Sequence, residues 1–239
     1  MRRREHRRER RAARGGHGSR AYQCSGTVRR GAGSVTGYAR HAVWTGAAAV
    51  IAAYLLGSLS PALWIARRRG VDIRAVGSGN PGATNVGRAL GRQAGLTVLA
   101  LDGLKGALPT LGGVAAFGAT DARTAAMGVA AVAGHVWPIW HGLRGGRGAA
   151  TGLGALFAVA PGAGGLAALG YAVARRASGR ASVGSLVGAT LGATALVAWE
   201  FVEGRATPRT WMACALLALI VGAHGPNLAR LARGEEPRT

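Results

Sequence analysis

Residues 43–66, VWTGAAAVIAAYLLGSLSPALWIA, run without a single charge and end against Arg67-Arg68-Arg69. A helix needs about 20 apolar residues to cross the hydrocarbon core of a bilayer. This stretch is long enough, and the three arginines mark where it leaves the lipid. Outward from it the pattern repeats: Leu96–Phe117, Thr124–Trp140, Ala149–Ala174, Val183–Ala198 and Trp211–Ala223 are apolar, with charges between them. The last two are short and draw on flanking residues such as Ser182, Trp199 or Thr210. Charged residues make up 16% of the 239, low for a soluble domain, and they gather in loops and in the first 42 residues. The chain reads as an all-α integral membrane protein.

Basic residues in short loops favour the cytoplasmic side. The loop after the first span holds Arg67, Arg68, Arg69, Arg74, Arg88 and Arg92, whereas the turn at Asp121 and Arg123 is neutral. Ala149–Ala174 is broken at Pro161-Gly162. As one helix it sends Arg175, Arg176 and Arg180 outside; as a hairpin it keeps them inside, and the hairpin is preferred. The expectation is seven transmembrane helices, amino end outside, with three motif loops on the cytoplasmic side. Six tryptophans near predicted helix ends fit interfacial anchors.

Residues 1–42 are different. They contain 12 Arg and 2 Glu among Gly and Ser, with almost no apolar periodicity, so burial has nothing to offset chain entropy. They are expected to be a disordered extension or a mis-called start, with residues 43–239 as the working membrane domain. The 12 arginines contradict the amino-end-outside orientation. This segment also supplies about half of the net charge of +21. Outside it no basic stripe carries interleaved aromatics, so nucleic acid is not the partner, and juxtamembrane arginines suit anionic lipid equally well. Cys24 and Cys214 indicate neither a disulfide nor a metal site. No metal or cofactor is required, and no oligomeric state follows.

The chemistry-bearing residues lie in the loops. Gly77-Ser78-Gly79-Asn80-Pro81-Gly82 matches a dinucleotide fingerprint, but it follows a membrane span instead of a strand. What remains is a flexible backbone rich in N–H donors, with Ser78, Asn80, Thr84 and Asn85 as neutral hydrogen-bonders and Arg88 as a fixed cation. Such a loop wraps an oxyanion or is simply a membrane turn. Gly145-Gly146-Arg147-Gly148 is a second loop of this kind, without the ending of a nucleotide P-loop. Two phosphate-cradling loops on one face suggest two phosphorylated groups. Asp102 and Lys105 stand three apart in an apolar span, on one helix face, as an ion pair, a cavity lining or both. Lys105 is the only lysine in the chain. His224 and Asn227 share one side of a helical turn; His224 is expected to donate to a phosphate or carbonyl oxygen, and Glu235 or Glu236 to tie down Arg230 or Arg233.

Taken in order, Gly57-Ser58, Asp72-Ile73-Arg74, Gly77 to Val86 with Arg88, Asp102 with Lys105-Gly106, Gly134-His135, Gly145 to Gly148 with Ala150-Thr151, and His224 through Asn227, Arg230-Leu231 and Gly234 to Glu236 resemble the bacterial membrane acyl-phosphate:glycerol-3-phosphate acyltransferases across residues 43–236. The resemblance implies an essential Ser78 and Arg88, a glycerol 3-phosphate site at Gly145, Gly146, Arg147 and Gly148, activity supported by His224 and Asn227, and structure supported by Glu236. It implies acyl phosphate and glycerol 3-phosphate as substrates, a cell-membrane location with the site facing the cytoplasm, and lysophosphatidic acid as product. Arg144 and Arg147 stand where the family usually has Lys. Ser60-Pro61 replaces an earlier proline of the family.

The H-x4-D pair of coenzyme-A-dependent glycerolipid acyltransferases is absent. Five residues after each His come Arg11, Tyr22, Gly46, Trp140, Gly146 and Ala229. A small membrane transporter of phosphorylated solutes is the rival reading, since Gly-broken helices and buried charges also mark transport sites.

Overall fold

The structure, a computed structural model, describes the backbone of residues 32–238 and side chains from Trp44 onward. The chain divides into two units, Met1–Ala39 and Arg40–Thr239, and every side chain discussed belongs to the second. Most of the Arg-rich leader lies outside the described residues. Its last part, residues 32–42, falls in the first helix.

Ten α-helices and no strand occur among the described residues: α1 (Ala32–Gly57), α2 (Pro61–Arg68), α3 (Ala83–Leu90), α4 (Arg92–Phe117), α5 (Ala122–Val136), α6 (Ala149–Val159), α7 (Pro161–Ser178), α8 (Ala181–Val202), α9 (Pro208–Ala223) and α10 (Gly225–Ala232). The apolar stretches of the sequence become α1 with α2, then α4 to α9. Residues 44–68 and α8 are each long and apolar enough to cross a membrane, and α9 with α10, bent by 56°, makes a third if taken as one span. The helices between do not qualify by length and composition. α4 carries Asp102 and Lys105, and α5, α6 and α7 have 15, 11 and 18 residues.

Local chemistry sets the breaks. Residues 43–66, expected as one helix, are interrupted after Gly57; Ser60 caps α2 by accepting from Leu63 N, with Pro61 as its first residue. That gives Ser60-Pro61 a plain role, because proline is favoured at a helix start, where its missing N–H loses nothing. Residues 149–174 are likewise two helices, separated at Ala160 with Pro161 opening the second. Asp121 caps α5 and pairs with Arg123, whose guanidinium also covers the Phe117 ring.

The helices approach closely through small residues. α6 packs along α4 and α7 along α8. A side chain at Gly106 would collide with the Thr151 carbonyl, and one at Gly154 with the Gly103 carbonyl. Leu156, Ala163, Ala167, Ala193, Leu196 and Ala213 form the core between α6, α7, α8 and α9. The outward faces are apolar: Ile51, Leu108, Leu169, Val173 and all six tryptophans are exposed. A surface of that kind calls for lipid.

Candidate active site

The first motif loop is built by Asn85. Its buried side-chain amide donates to the carbonyls of Ile73 (3.1 Å) and Val76 (3.0 Å), and its oxygen accepts from Ser78 N (3.1 Å). Gly77 leaves no room for a side chain against that oxygen and has φ of +58°, a left-handed value that favours glycine. Asn85 is therefore a staple whose amide is fully used. Gly79 N donates to Val76 O and Gly82 N to Asn80 O, so little of the loop's backbone is free to wrap an anion. What the loop delivers is the start of α3, which no side chain caps. Unpaired N–H groups at a helix start favour anions.

The second loop follows the same plan. Gly145 N donates to Val136 O and Gly146 N to His135 O, both 3.1 Å, which ties the loop onto the end of α5. The expected cradle of glycine amides is thus spent on the protein itself. Anion-holding capacity passes to Arg147 and to the first turn of α6, again without a side-chain cap. Burial, and then the Arg230 charge, lower the Arg147 pKa to about 10, so its guanidinium is charged at neutral pH. Arg74 Nη2 donates to His141 O (3.2 Å) and Arg144 O (2.6 Å) and so binds the first loop to the second.

The third motif is a clasp. Glu236 accepts from Asn227 Nδ2 at 2.6 Å and from Arg230 Nε at 2.8 Å, and Arg180 holds its backbone carbonyl. Glu235 pairs with Arg233. Burial raises the Glu236 carboxyl, but Ser182, Asn227 and Arg230 more than offset it, holding it below the usual carboxylate range. Arg88 Nη2 donates to the carbonyls of Pro237 (3.3 Å) and Arg238 (3.0 Å); burial lowers its pKa. His224 is 2% exposed, and its Nδ1 lies 2.7 Å from Ile220 O. A carbonyl only accepts, so Nδ1 is the protonated nitrogen and Nε2 of the neutral ring is an acceptor. Of the two acceptors expected for His224, a phosphate or a carbonyl oxygen, its ring meets a carbonyl, that of Ile220. Asn227 Oδ1 is buried without a partner.

These segments surround one cavity of about 910 Å³. Ser78, Asn80, Thr84, Asn85, Arg88, Asp102, Arg147, Gly148, His224, Asn227 and Glu236 reach its wall. Lys105, Gly145 and Gly146 lie behind it. The polar end continues into an apolar groove that includes Leu96, Leu99, Leu153, Phe157 and Leu217. Lys105 instead donates to Leu59 O (2.7 Å) and pairs with Asp102 at 3.1 Å. Sequence reasoning gave no role to Arg74, His135 or Arg175, and the last two also face the cavity. The signal for the first two was their place in the quoted motifs; Arg175 had none. Among the described residues no group of three or more His, Cys, Asp or Glu side chains gathers as a metal site needs.

One polar end with several guanidinium groups and two uncapped helix starts, opening into one apolar groove, suits an amphiphile with an anionic head. Comparison with known proteins agrees. A sequence model of the family "Glycerol-3-phosphate acyltransferase" matches residues 47–234. A glycerol-3-phosphate acyltransferase of Anaeromyxobacter sp. (strain Fw109-5) is 42% identical, over 79% of this chain and 94% of its own. One of Aquifex aeolicus is also 42% identical, over 79% and 96%. The crystal structure of PlsY (YgiH), an integral membrane glycerol 3-phosphate acyltransferase, in its glycerol 3-phosphate form superposes with a TM-score of 0.77 at 39% identity, covering 82% of this chain and 96% of that one. Its lysophosphatidic acid form gives 0.74 at 38% identity, covering 81% and 95%.

Proposed function

This chain belongs to the glycerol-3-phosphate acyltransferase family, and from that premise we propose that it transfers a fatty acyl group from acyl phosphate to the 1-hydroxyl of glycerol 3-phosphate. The products are 1-acyl-glycerol 3-phosphate, a lysophosphatidic acid, and inorganic phosphate. One relative, PlsY (YgiH), has crystal structures in a glycerol 3-phosphate form and a lysophosphatidic acid form. The single observation that supports the reading best is the cavity itself, whose cationic end and apolar groove are continuous.

In this mechanism the acceptor's phosphate lies at Arg147 and the start of α6, and the donor's phosphate at Arg88, Ser78 and Thr84 with the start of α3. The acyl tail occupies the groove. The 1-hydroxyl oxygen attacks the acyl carbonyl; a carbon–oxygen bond forms, the bond to the bridging phosphate oxygen breaks, and phosphate leaves. His224 Nε2 accepts from the attacking hydroxyl and orients it, takes its proton as the carbon–oxygen bond forms, and returns that proton to the departing phosphate. Asn227 Oδ1, buried without a protein partner, offers an acceptor to the other hydroxyl of the glycerol. No covalent acyl-enzyme is needed, because an acyl phosphate is already activated, and positioning with charge neutralisation carries the rate. The missing H-x4-D pair supports acyl phosphate over acyl-coenzyme A. Family membership leaves the transport reading without support.

The proposed setting is the bacterial plasma membrane, crossed seven times, with the site facing the cytoplasm. The seven segments are α1 with α2, then α4, α5, α6, α7, α8, and α9 with α10; the arginine-rich loops support the sidedness. Single cysteines at Gly79 and Ala149 in a chain lacking Cys24 and Cys214 should both react from the cytoplasmic face, and labelling from opposite faces overturns the arrangement. For the reaction, phosphate release from palmitoyl phosphate should depend on glycerol 3-phosphate, with none of the acyl transfer supported by palmitoyl-coenzyme A. Equal use of the thioester overturns the donor assignment.

A further inference from the structure

The mechanism leaves one buried charged cluster unused. Asp102 is 3% exposed, His135 7% and Lys105 6%. Lys105 Nζ lies 3.1 Å from Asp102 Oδ1, and His135 Nδ1 stands 3.6 Å from that same oxygen with no hydrogen bond of its own. Charged groups this deep in an apolar helix pack are expensive and are kept for a reason.

The opposite edge of the His135 ring supplies the reason. A side chain on Gly146 would run into Nε2, Cε1 and Cδ2 of His135, so the loop backbone lies directly on the imidazole. Gly146 N also donates to the carbonyl of the same residue. The turn of α5 that carries His135 is fixed from its other side, where Gly134 leaves no room for a side chain against Tyr54 O and Ser58 N. The ring is thus set by Asp102 on one edge and sets the loop with the other. Arg147 is the next residue, and it reaches the cavity.

We propose that His135, whose ring stands beside the Asp102–Lys105 pair, is a positioning residue for the Gly145–Gly148 loop: its ring is the platform that places Arg147 and the start of α6 for the acceptor's phosphate. The proposal rests on the reading that this loop takes glycerol 3-phosphate. It makes His135 act on the acceptor and not on the acyl donor, and it makes the glycine at 146 a consequence of the ring above it.

The decisive experiment is a suppression cycle with Gly146→Ala, His135→Ala and the double substitution in the full-length protein. Calorimetric binding of glycerol 3-phosphate is measured without donor, and the two KM values separately. Gly146→Ala alone should raise the glycerol 3-phosphate KM on the order of tenfold or more, because a displacement of about an ångström in a positioned group has effects of this size. Removing the ring in the double variant should bring that KM back to the value of His135→Ala alone, a non-additive result expected of residues in contact. The palmitoyl phosphate KM should stay within about twofold throughout. A double variant no better than Gly146→Ala, or equal rises in both KM values, overturns the proposal. His135→Asn, which keeps a polar group toward Asp102 while clearing the Gly146 edge, supplies the same cycle if the alanine variant does not fold. Failure of the unsubstituted protein to bind glycerol 3-phosphate sinks the reading of the loop and this inference together. Intact binding with no suppression sinks the inference alone.

Discussion

Two charge clusters lie near opposite ends of α8 and follow opposite plans, one buried and one open to the cavity. Near its end, Glu200 is fully buried and accepts from Thr207 N (2.8 Å), the Thr207 hydroxyl (2.6 Å), the Thr210 hydroxyl and Arg209 Nε (2.9 Å). Arg209 spends its Nη1 on Val159 O, which pins the α8–α9 turn to the end of α6. Near its start, roughly 27 Å away by helical rise, Ser182 borders the cavity. There the carboxylate that acts on Arg88 and Arg147 is Glu236, itself engaged by Asn227 and Arg230. Asn227 Oδ1 and Arg230 Nη2 are buried without partners. The first cluster is saturated and locks the fold. The second holds polar capacity in reserve, which is what a site for an anionic ligand needs.

The contrast predicts that stability and activity separate by cluster. Arg88→Ala should produce the largest effect, a fall in kcat/KM on the order of a hundredfold to a thousandfold, as expected when a charge-stabilising group is removed from a reacting site. The variant should remain folded, and the readout is phosphate release from palmitoyl phosphate with glycerol 3-phosphate present. Near-normal turnover would remove Arg88 from the chemistry. Glu200→Ala should do the reverse. It strands Arg209 among apolar helices and should destabilise the protein by about 3 kcal/mol, the scale for breaking a buried pair, while the folded fraction keeps its kcat. Thermal unfolding in detergent paired with the same assay decides it, and a lost kcat with intact stability breaks the comparison.

The sequence told the two regions apart unevenly. Uncharged runs revealed the apolar helices, of which two, or three with α9 and α10 taken together, are long and apolar enough to cross a membrane, because lipid leaves so little freedom in composition. Spacing revealed the Asp102–Lys105 pair, since residues three apart on a helix must meet. The sequence also placed His224 with Asn227 and matched Glu236 or Glu235 with the nearby arginines. It did not show α3, whose Gly82, Gly87 and Gly91 read as loop. Nothing in the sequence marks Glu200 as buried, because its burial depends on hydroxyls of Thr207 and Thr210 folding back, which composition does not reveal. The glycine loops were read as anion cradles because amide-rich backbones favour that role. Their N–H groups are instead spent on Val136, His135 and Asn85, a fact of tertiary register. His135 escaped assignment because its partners, Asp102 and Gly146, are distant in sequence.

Smaller changes sharpen the comparison within the site. Arg147→Lys keeps the charge but replaces a planar fork with a point charge. It should raise the glycerol 3-phosphate KM by about threefold to tenfold, with the palmitoyl phosphate KM unchanged. A larger loss in kcat than in KM would mean that Arg147 acts on the transition state and not on the bound acceptor.

The smallest effect is expected from acid. Hydrogen bonds and the Arg230 charge hold the Glu236 pKa below its ordinary 4.5, so in the interval between the two values the unfolded chain binds more protons than the folded one. The stability that Glu236 contributes is therefore complete above about pH 4.5 and drains away as the pH falls through the lower folded value. Glu236→Gln removes this titration while keeping a group able to accept from Asn227. The wild-type melting temperature should fall toward that of the variant as the pH drops below about 4.5, because the carboxyl then takes up its proton first in the unfolded chain and, at lower pH, in the folded one as well. A constant gap between the two proteins across that range would mean that the carboxylate charge is not what closes the clasp, and that the hydrogen bond from Asn227 alone suffices to hold the carboxy-terminal segment against Arg88.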